Sequence, residues 1–119
     1  MLTQKRGSVV GISISLVTNP ISGMTVSVPM ITKGGVEALS QSLAMEYAKD
    51  GIRFNVVAPG MVDTPSHKDD PKDFLKSLSP MGQIASVDDV AAAVVYLTEA
   101  TQVTGEVVHV DGGAHSGKW

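Results

Sequence analysis

The segment Ser8 to Ser15, SVVGISIS, sets Val and Ile among small residues after a Lys-Arg-Gly turn signal and is too short for a typical helix, which predicts a strand. Asn19, Pro20 and Gly23 end it, and residues 16–29 read as a loop. From about Met30 to Lys49 the periodicity changes: Val36, Leu39, Leu43 and Tyr47 fall at three- and four-residue steps, and Gly34, Gly35, Ala38, Ala44 and Ala48 supply small surfaces. That pattern predicts a long amphipathic helix, stopped at Asp50-Gly51 because glycine readily takes the left-handed conformation that terminates helices. Ile52 to Ala58 returns to β-branched and aromatic residues and halts at Pro59-Gly60, a second strand running into a sharp turn. Charges mixed with Phe74, Leu75 and Leu78 between His67 and Ser79 predict a short helix. Ser86 and Asp89 then form a capping-box-like pair ahead of a stripe of Val87, Val90, Val94 and Leu97, so a further helix begins there. Gly105 to Val110 makes a third strand, closed by Asp111-Gly112-Gly113.

Strand, helix, strand, helix, strand in that order predicts an α/β fold: about three parallel strands, right-handed crossovers and flanking helices, in the manner of a partial Rossmann-like sheet. Ligands of open sheets of this kind sit beyond the carboxyl ends of the strands. Here those ends are residues 13–15, 59–64 and 111–114.

Composition narrows the function classes. At 119 residues, 43% of them hydrophobic and 18% charged, the chain has the makeup of one globular domain spanning residues 1–119. The net charge of −3 and the scatter of the nine Lys and Arg residues argue against nucleic acid as a partner. The absence of cysteine removes disulfides, thiolate catalysis and Cys-ligated zinc, and is compatible with a reducing compartment. No apolar run approaches the roughly 20 residues needed to span a bilayer, and the N-terminus lacks a signal-peptide apolar core. No membrane association and a cytoplasmic location are therefore expected. The three histidines invite a metal hypothesis, chiefly His67 beside Asp69 and Asp70, but no HxxxH or HExxH spacing accompanies them, and solvated loop residues are the better account.

Taken together, GSVVGISIS, TKGGVEALSQSLAMEYAKDGIRFNVVAPGMVDTP and TGEVVHVDGG resemble consecutive landmarks of the short-chain dehydrogenase/reductase family, in the family's order and spacing. The likeness covers nearly the whole chain but corresponds to the C-terminal half of a family member. The glycine-rich turn that receives the coenzyme pyrophosphate at a helix N-terminus has no counterpart here. The resemblance implies an oxidoreductase that interconverts alcohols and ketones with NAD or NADP. It also implies that the adenine and pyrophosphate contacts, and the asparagine of the proton relay, belong to the other half.

The family's central motif is a tyrosine four residues before a lysine on the long helix. The tyrosine exchanges a proton with the substrate oxygen; the lysine holds the coenzyme ribose and lowers the tyrosine pKa from about 10. By this resemblance Lys33 is the lysine, and Pro29, which carries no titratable group, stands at the tyrosine position. Tyr47 is fourteen residues beyond Lys33, about 20 Å along an ideal helix, and Tyr96 falls on another helix, so neither substitutes. The family serine that polarises the substrate carbonyl aligns with Ile14, between Ser13 and Ser15; a small shift at the strand end would bring one of these two into its role. The nicotinamide side is better kept. PGMVDTP matches the family's turn, which makes Pro59, Gly60, Val62 and Thr64, together with Lys33, the candidate coenzyme-binding residues. Arg53 and Asn55 match positions that serve structure.

Two further expectations concern assembly. A strand over Ser8 to Ser15 with Val9, Val10, Ile12 and Ile14 and no charge or proline is a template for another chain if its edge is open. The long helix, with small Gly34 and Ala38 beside Leu39, suits close approach to a copy of itself. The chain is accordingly expected to form a homo-oligomer, or to pair with a full-length relative or the missing N-terminal half. The isolated chain is expected to be inactive or severely impaired as an enzyme, the alternative role being a non-catalytic oligomerisation or interaction module.

Overall fold

In the computed structural model, which describes residues 1–65, 69 and 71–117, three strands form one parallel sheet in the order β1-β2-β3. Strand β1 spans Gly7–Ile12, β2 Ile52–Pro59 and β3 Val107–Val110; helix α1 spans Ser27–Tyr47, α2 Lys72–Ser77 and α3 Val87–Glu99. The predicted α/β class and the three parallel strands with flanking helices are both present.

Register fixes which side chains share a face. Gly11 pairs with Val56, and Val36 of α1 covers Gly11 beside Val56, while Tyr47 at the end of α1 meets Phe54 with ring centroids 6.0 Å apart. The even-numbered residues of β2 therefore face α1. Arg53, on the other face, reaches the last carbonyls of α3. The two long helices thus lie on opposite faces of the sheet. Because the chain steps the same way across the sheet twice, from β1 to β2 to β3, helices on opposite faces give crossovers of opposite hand. The two right-handed crossovers that the sequence pattern predicts are therefore not both present.

The core is centred on β2. Ile52, Val56, Val57 and Ala58 are buried, joined by Ala44 from α1, Leu97 from α3 and Leu75 from α2. β2 is the middle strand, covered on both faces, which accounts for its nearly unbroken apolar run. Element boundaries differ from the sequence reading in instructive ways. α1 starts at Ser27, inside the segment read as loop, because a proline within the first helical turn forfeits only an N–H that has no intrahelical partner. Its buried positions are Ser40 and Ala44, and Val36 and Tyr47 of the expected stripe face the sheet beside them, whereas Leu39 is 60% exposed and falls outside it. Ser86 caps α3 as expected, its side chain accepting from the Asp89 N–H while the Asp89 carboxylate accepts from the Ser86 N–H. Of the α3 stripe, Leu97 is buried and Val87 exposed. The short helix expected between His67 and Ser79 is α2; His67 and Asp70 lie outside the described residues.

Candidate functional site

The carboxyl ends of the strands converge with the loop after β1 and the turn after β2. β1 regular pairing ends at Ile12, but Ser13 adds one more rung, its N–H donating to Val57 O at 2.8 Å. Ile14 remains extended, and the chain then tightens into a 3₁₀ turn over Ser15–Val17. This break separates the two serines. Ser13, almost fully buried, points its hydroxyl at the Glu37 carboxylate, 2.5 Å away, and at the carbonyl of Lys33, 3.3 Å away. A hydroxyl has one proton, and the carboxylate is the stronger acceptor. Ser15 instead lines a cavity of about 310 Å³ with Ile14, Leu16, Asn19, Ile21, Met24, Val26, Pro29, Pro59, Gly60, Met61, Leu78 and Ala114. The structure therefore brings Ser15, Pro29, Pro59 and Gly60 together, and it puts Ile14 on the same wall. Ser13, Lys33, Val62 and Thr64 are not among its lining residues.

Lys33 lies one helical turn beyond Pro29 on α1, and its ammonium donates to the Ile12 carbonyl at 3.3 Å, at the end of β1. Pro29 is exposed at the start of the helix.

The turn after β2 is held from two sides. Gly60 donates to Val110 O at 2.9 Å, and a Cβ at this position would stand 2.9 Å from Asp111 Cβ and 3.1 Å from its Cα, so only glycine lets the two strand ends approach so closely. Val62 forms a parallel bridge to Ala85: Ala85 N–H donates to Met61 O at 3.1 Å and Asp63 N–H to Ala85 O at 2.8 Å. In that pattern the N–H and C=O of Val62 itself point away from Ala85, and among the described residues no backbone group pairs with them. Lys72 on α2 adds a 2.7 Å ion pair to Asp63. Thr64 is half-buried.

A cluster that the sequence did not reveal stands at the end of β3. Gly112 and Gly113 both take positive φ and fold the chain back so that His115 stacks on His109, ring centroids 3.7 Å apart. Asp111, buried, accepts from the N–H groups of Gly113 and His115 and pairs with the His115 ring at 3.0 Å. Burial pushes the Asp111 carboxyl up, but the His115 ring and these N–H donors outweigh it and hold it below its ordinary range. His109 is lowered, first by burial and then by His115, against the opposing pull of Asp111 and Glu37. Thr18 Oγ1 lies 2.9 Å from His109 Nε2, and Asn19 donates to the carbonyls of Ala114 and Gly117, so the tail is tied to the loop after β1. No sequence signal announces this, because it depends on a turn that brings positions 18, 109 and 115 together.

Arg53 and Asn55 are structural. The Arg53 guanidinium donates to the carbonyls of Leu97, Thr98 and Ala100 at 2.6–2.8 Å, and Asn55 bridges Val103 O and the Glu106 N–H. Tyr47 packs its ring on Phe54, and Tyr96 is 55% exposed on α3. Among the described residues no group of three or more His, Cys, Asp or Glu could hold a metal ion, and no helix is long and apolar enough to cross a membrane. A larger hollow of about 730 Å³ lies at the opposite, amino end of the strands, between residues 1–8 and the end of α3, away from every candidate residue.

The chain is similar to known proteins over nearly its whole length. Residues 1–115 match the family model described as enoyl-(acyl carrier protein) reductase. The chain is 43% identical over 113 residues to 3-oxoacyl-[acyl-carrier-protein] reductase of Bos taurus, covering 95% of this chain and 47% of that one. To dehydrogenase/reductase SDR family member 6 of Rattus norvegicus it is 41% identical over 125 residues, covering 95% and 50%. Among solved structures it superposes on ElxO with NADP bound at a TM-score of 0.87 and 30% identity, covering 98% of this chain and 50% of that one. A gluconate 5-dehydrogenase from Burkholderia cenocepacia in complex with NADP and tartrate follows at a TM-score of 0.85 and 27% identity, covering 98% and 48%. The chain thus spans about half the length of the relatives it matches.

Proposed function

Because the chain belongs to the short-chain dehydrogenase/reductase family, we propose that it represents the C-terminal half of an NAD(P)-dependent oxidoreductase that interconverts alcohols and ketones, and that these 119 residues alone turn over poorly or not at all. A nicotinamide coenzyme supplies the hydride in such chemistry. The residues present fit its nicotinamide end. Gly60 keeps the turn free of a Cβ, the N–H and C=O of Val62 offer a donor and an acceptor side by side away from Ala85, and Lys33 supplies a cation at the end of β1. Thr64 follows on the same turn. Ser15, on the cavity wall, is the serine best situated to donate to a substrate oxygen, whereas Ser13 is engaged with Glu37.

The observation that carries the impaired half of this reading is Pro29. It lines the cavity at the place where the resemblance calls for the proton-exchanging tyrosine, and among the described residues no titratable side chain lines that cavity. General acid–base catalysis is worth about 10² to 10⁴ in rate. A turnover assay with NADH and NADPH and a panel of ketones, following reduced nicotinamide, tests both parts. The chain alone should give no turnover above background. Joined to the N-terminal half of a relative it should bind coenzyme yet remain slow, and Pro29→Tyr in that complex should raise the rate at least about tenfold. Brisk turnover by the unaltered chain would overturn the proposal.

A second role is favoured by specific surfaces. Val28, Ile31, Leu39 and Met45 of α1 are each 60–83% exposed, and β1 pairs on one side only, with Val9 and Ile12 partly exposed. These surfaces support self-association as a homo-oligomer, or pairing with a full-length relative, as an interaction module. Sedimentation as a monomer at high micromolar concentration would count against it.

A further inference from the structure

The walls of the cavity beside Ser15 specify what it can hold. Apart from Ser15 and Asn19 the described residues that line it are apolar, and among the described residues no Lys, Arg, His, Asp or Glu lines it. A carboxylate or phosphate ligand would enter without a counter-charge, and burying an unpaired ion is strongly unfavourable. One group asks for a polar partner. Ser15 is 6% exposed, and it carries the one side-chain hydroxyl among the described residues that line the cavity. The other polar wall residue, Asn19, already spends both amide protons on the carbonyls of Ala114 and Gly117.

Resting on the assignment of this cavity as the substrate face, we propose that it binds an uncharged aliphatic ketone or alcohol of medium length, the single oxygen meeting Ser15 and the chain lying against Leu16, Ile21, Met24, Met61 and Leu78. The size follows from the volume. An apolar cavity of about 150 Å³ accommodates benzene, so 310 Å³ accepts roughly twice as many non-hydrogen atoms, about ten to twelve. Acidic or polyhydroxylated substrates are excluded by the same walls: a compound such as tartrate would leave most of its oxygens without partners.

The test needs no coenzyme and no turnover, so its outcome is separable from that of the redox reading. 2-Nonanone, nonanoate and tartrate are titrated into the purified chain while the methyl resonances of Ile14, Ile21, Met24 and Met61 are followed by NMR. 2-Nonanone should shift these methyls saturably, nonanoate should bind at least about tenfold more weakly, and tartrate should leave them unmoved. Ser15→Ala should weaken 2-nonanone about two- to tenfold, the loss of one neutral hydrogen bond. Ala114→Leu, which fills the cavity, should abolish binding while the amide spectrum keeps its native dispersion. Binding of nonanoate or tartrate as tight as that of the ketone, or shifts that survive Ala114→Leu, would overturn the proposal. Absence of any shift with 2-nonanone would overturn it as well, whatever the turnover assay gives.

Discussion

Replacing Arg53 should unfasten the end of α3 from the sheet. Its guanidinium lies 2.6 Å from Leu97 O, 2.7 Å from Thr98 O and 2.8 Å from Ala100 O. Leu97 and Thr98 are among the last four residues of the helix, whose carbonyls have no intrahelical donor. The cation also opposes the negative end of the helix dipole. The Thr98 contact is open to solvent and contributes least; the other two are part-buried charge-assisted bonds, each worth about 1.5–3 kcal/mol. Since water replaces part of what is lost, Arg53→Met should cost about 3 kcal/mol. At an unfolding entropy of roughly 2.1 cal/mol/K per residue, that lowers the melting temperature by about 12 °C for a chain of this length. Urea unfolding followed by circular dichroism measures the first quantity and a thermal scan the second. Arg53→Lys should recover less than half of the loss, because a single ammonium cannot present a planar fork to three carbonyls. A loss under about 0.5 kcal/mol, the range of an ordinary surface substitution, or full recovery by lysine, would refute the reasoning.

Two more outcomes follow from the end of the sheet. Gly60→Ala places a Cβ against the backbone of Asp111, at 3.1 Å from its Cα, so the strand ends must separate; the variant should be destabilised by about 1–3 kcal/mol in the same urea assay, with amide shifts centred on residues 60 and 110–112. Stability should also fall on acidification in two stages. His109 has a lowered pKa in the fold, so its contribution is complete above its ordinary 6.5 and is lost as pH falls below that value toward the folded one; Asp111, likewise lowered, contributes above its ordinary 3.8 and loses that contribution as pH falls through its folded value. Denaturant midpoints measured from pH 8 to pH 3 should show the first decline begin near pH 6.5, and His109→Asn should remove it.

What was legible in the sequence was what depends on period and local chemistry. The order of strands and helices followed from the switch between strand-like and helical spacing, and the start of α3 from a capping pair that the structure reproduces with aspartate at the third position. Less legible were features that depend on where strands stop. Strict alternation puts Ser13 and Ser15 on one face, but regular pairing ends at Ile12 and the chain tightens at Ser15, which sends one hydroxyl to Glu37 and leaves the other on the cavity wall. The first turn of α1 was hidden by Pro29, since proline signals a loop unless its N–H belongs to the turn that lacks partners. The stack of His109 on His115 and the apolar lining of the cavity beside Ser15 were invisible, because each joins residues far apart in sequence through turns with no periodic signal.

Under the proposed function these residues form the nicotinamide side of a dinucleotide site and need the other half to hold the coenzyme. Titrating NADPH and NADH into the purified chain while watching nicotinamide fluorescence addresses it directly. No saturable enhancement is expected up to millimolar coenzyme, and enhancement is expected once the N-terminal half of a relative is added. Saturable micromolar binding of either coenzyme by the chain alone would contradict it.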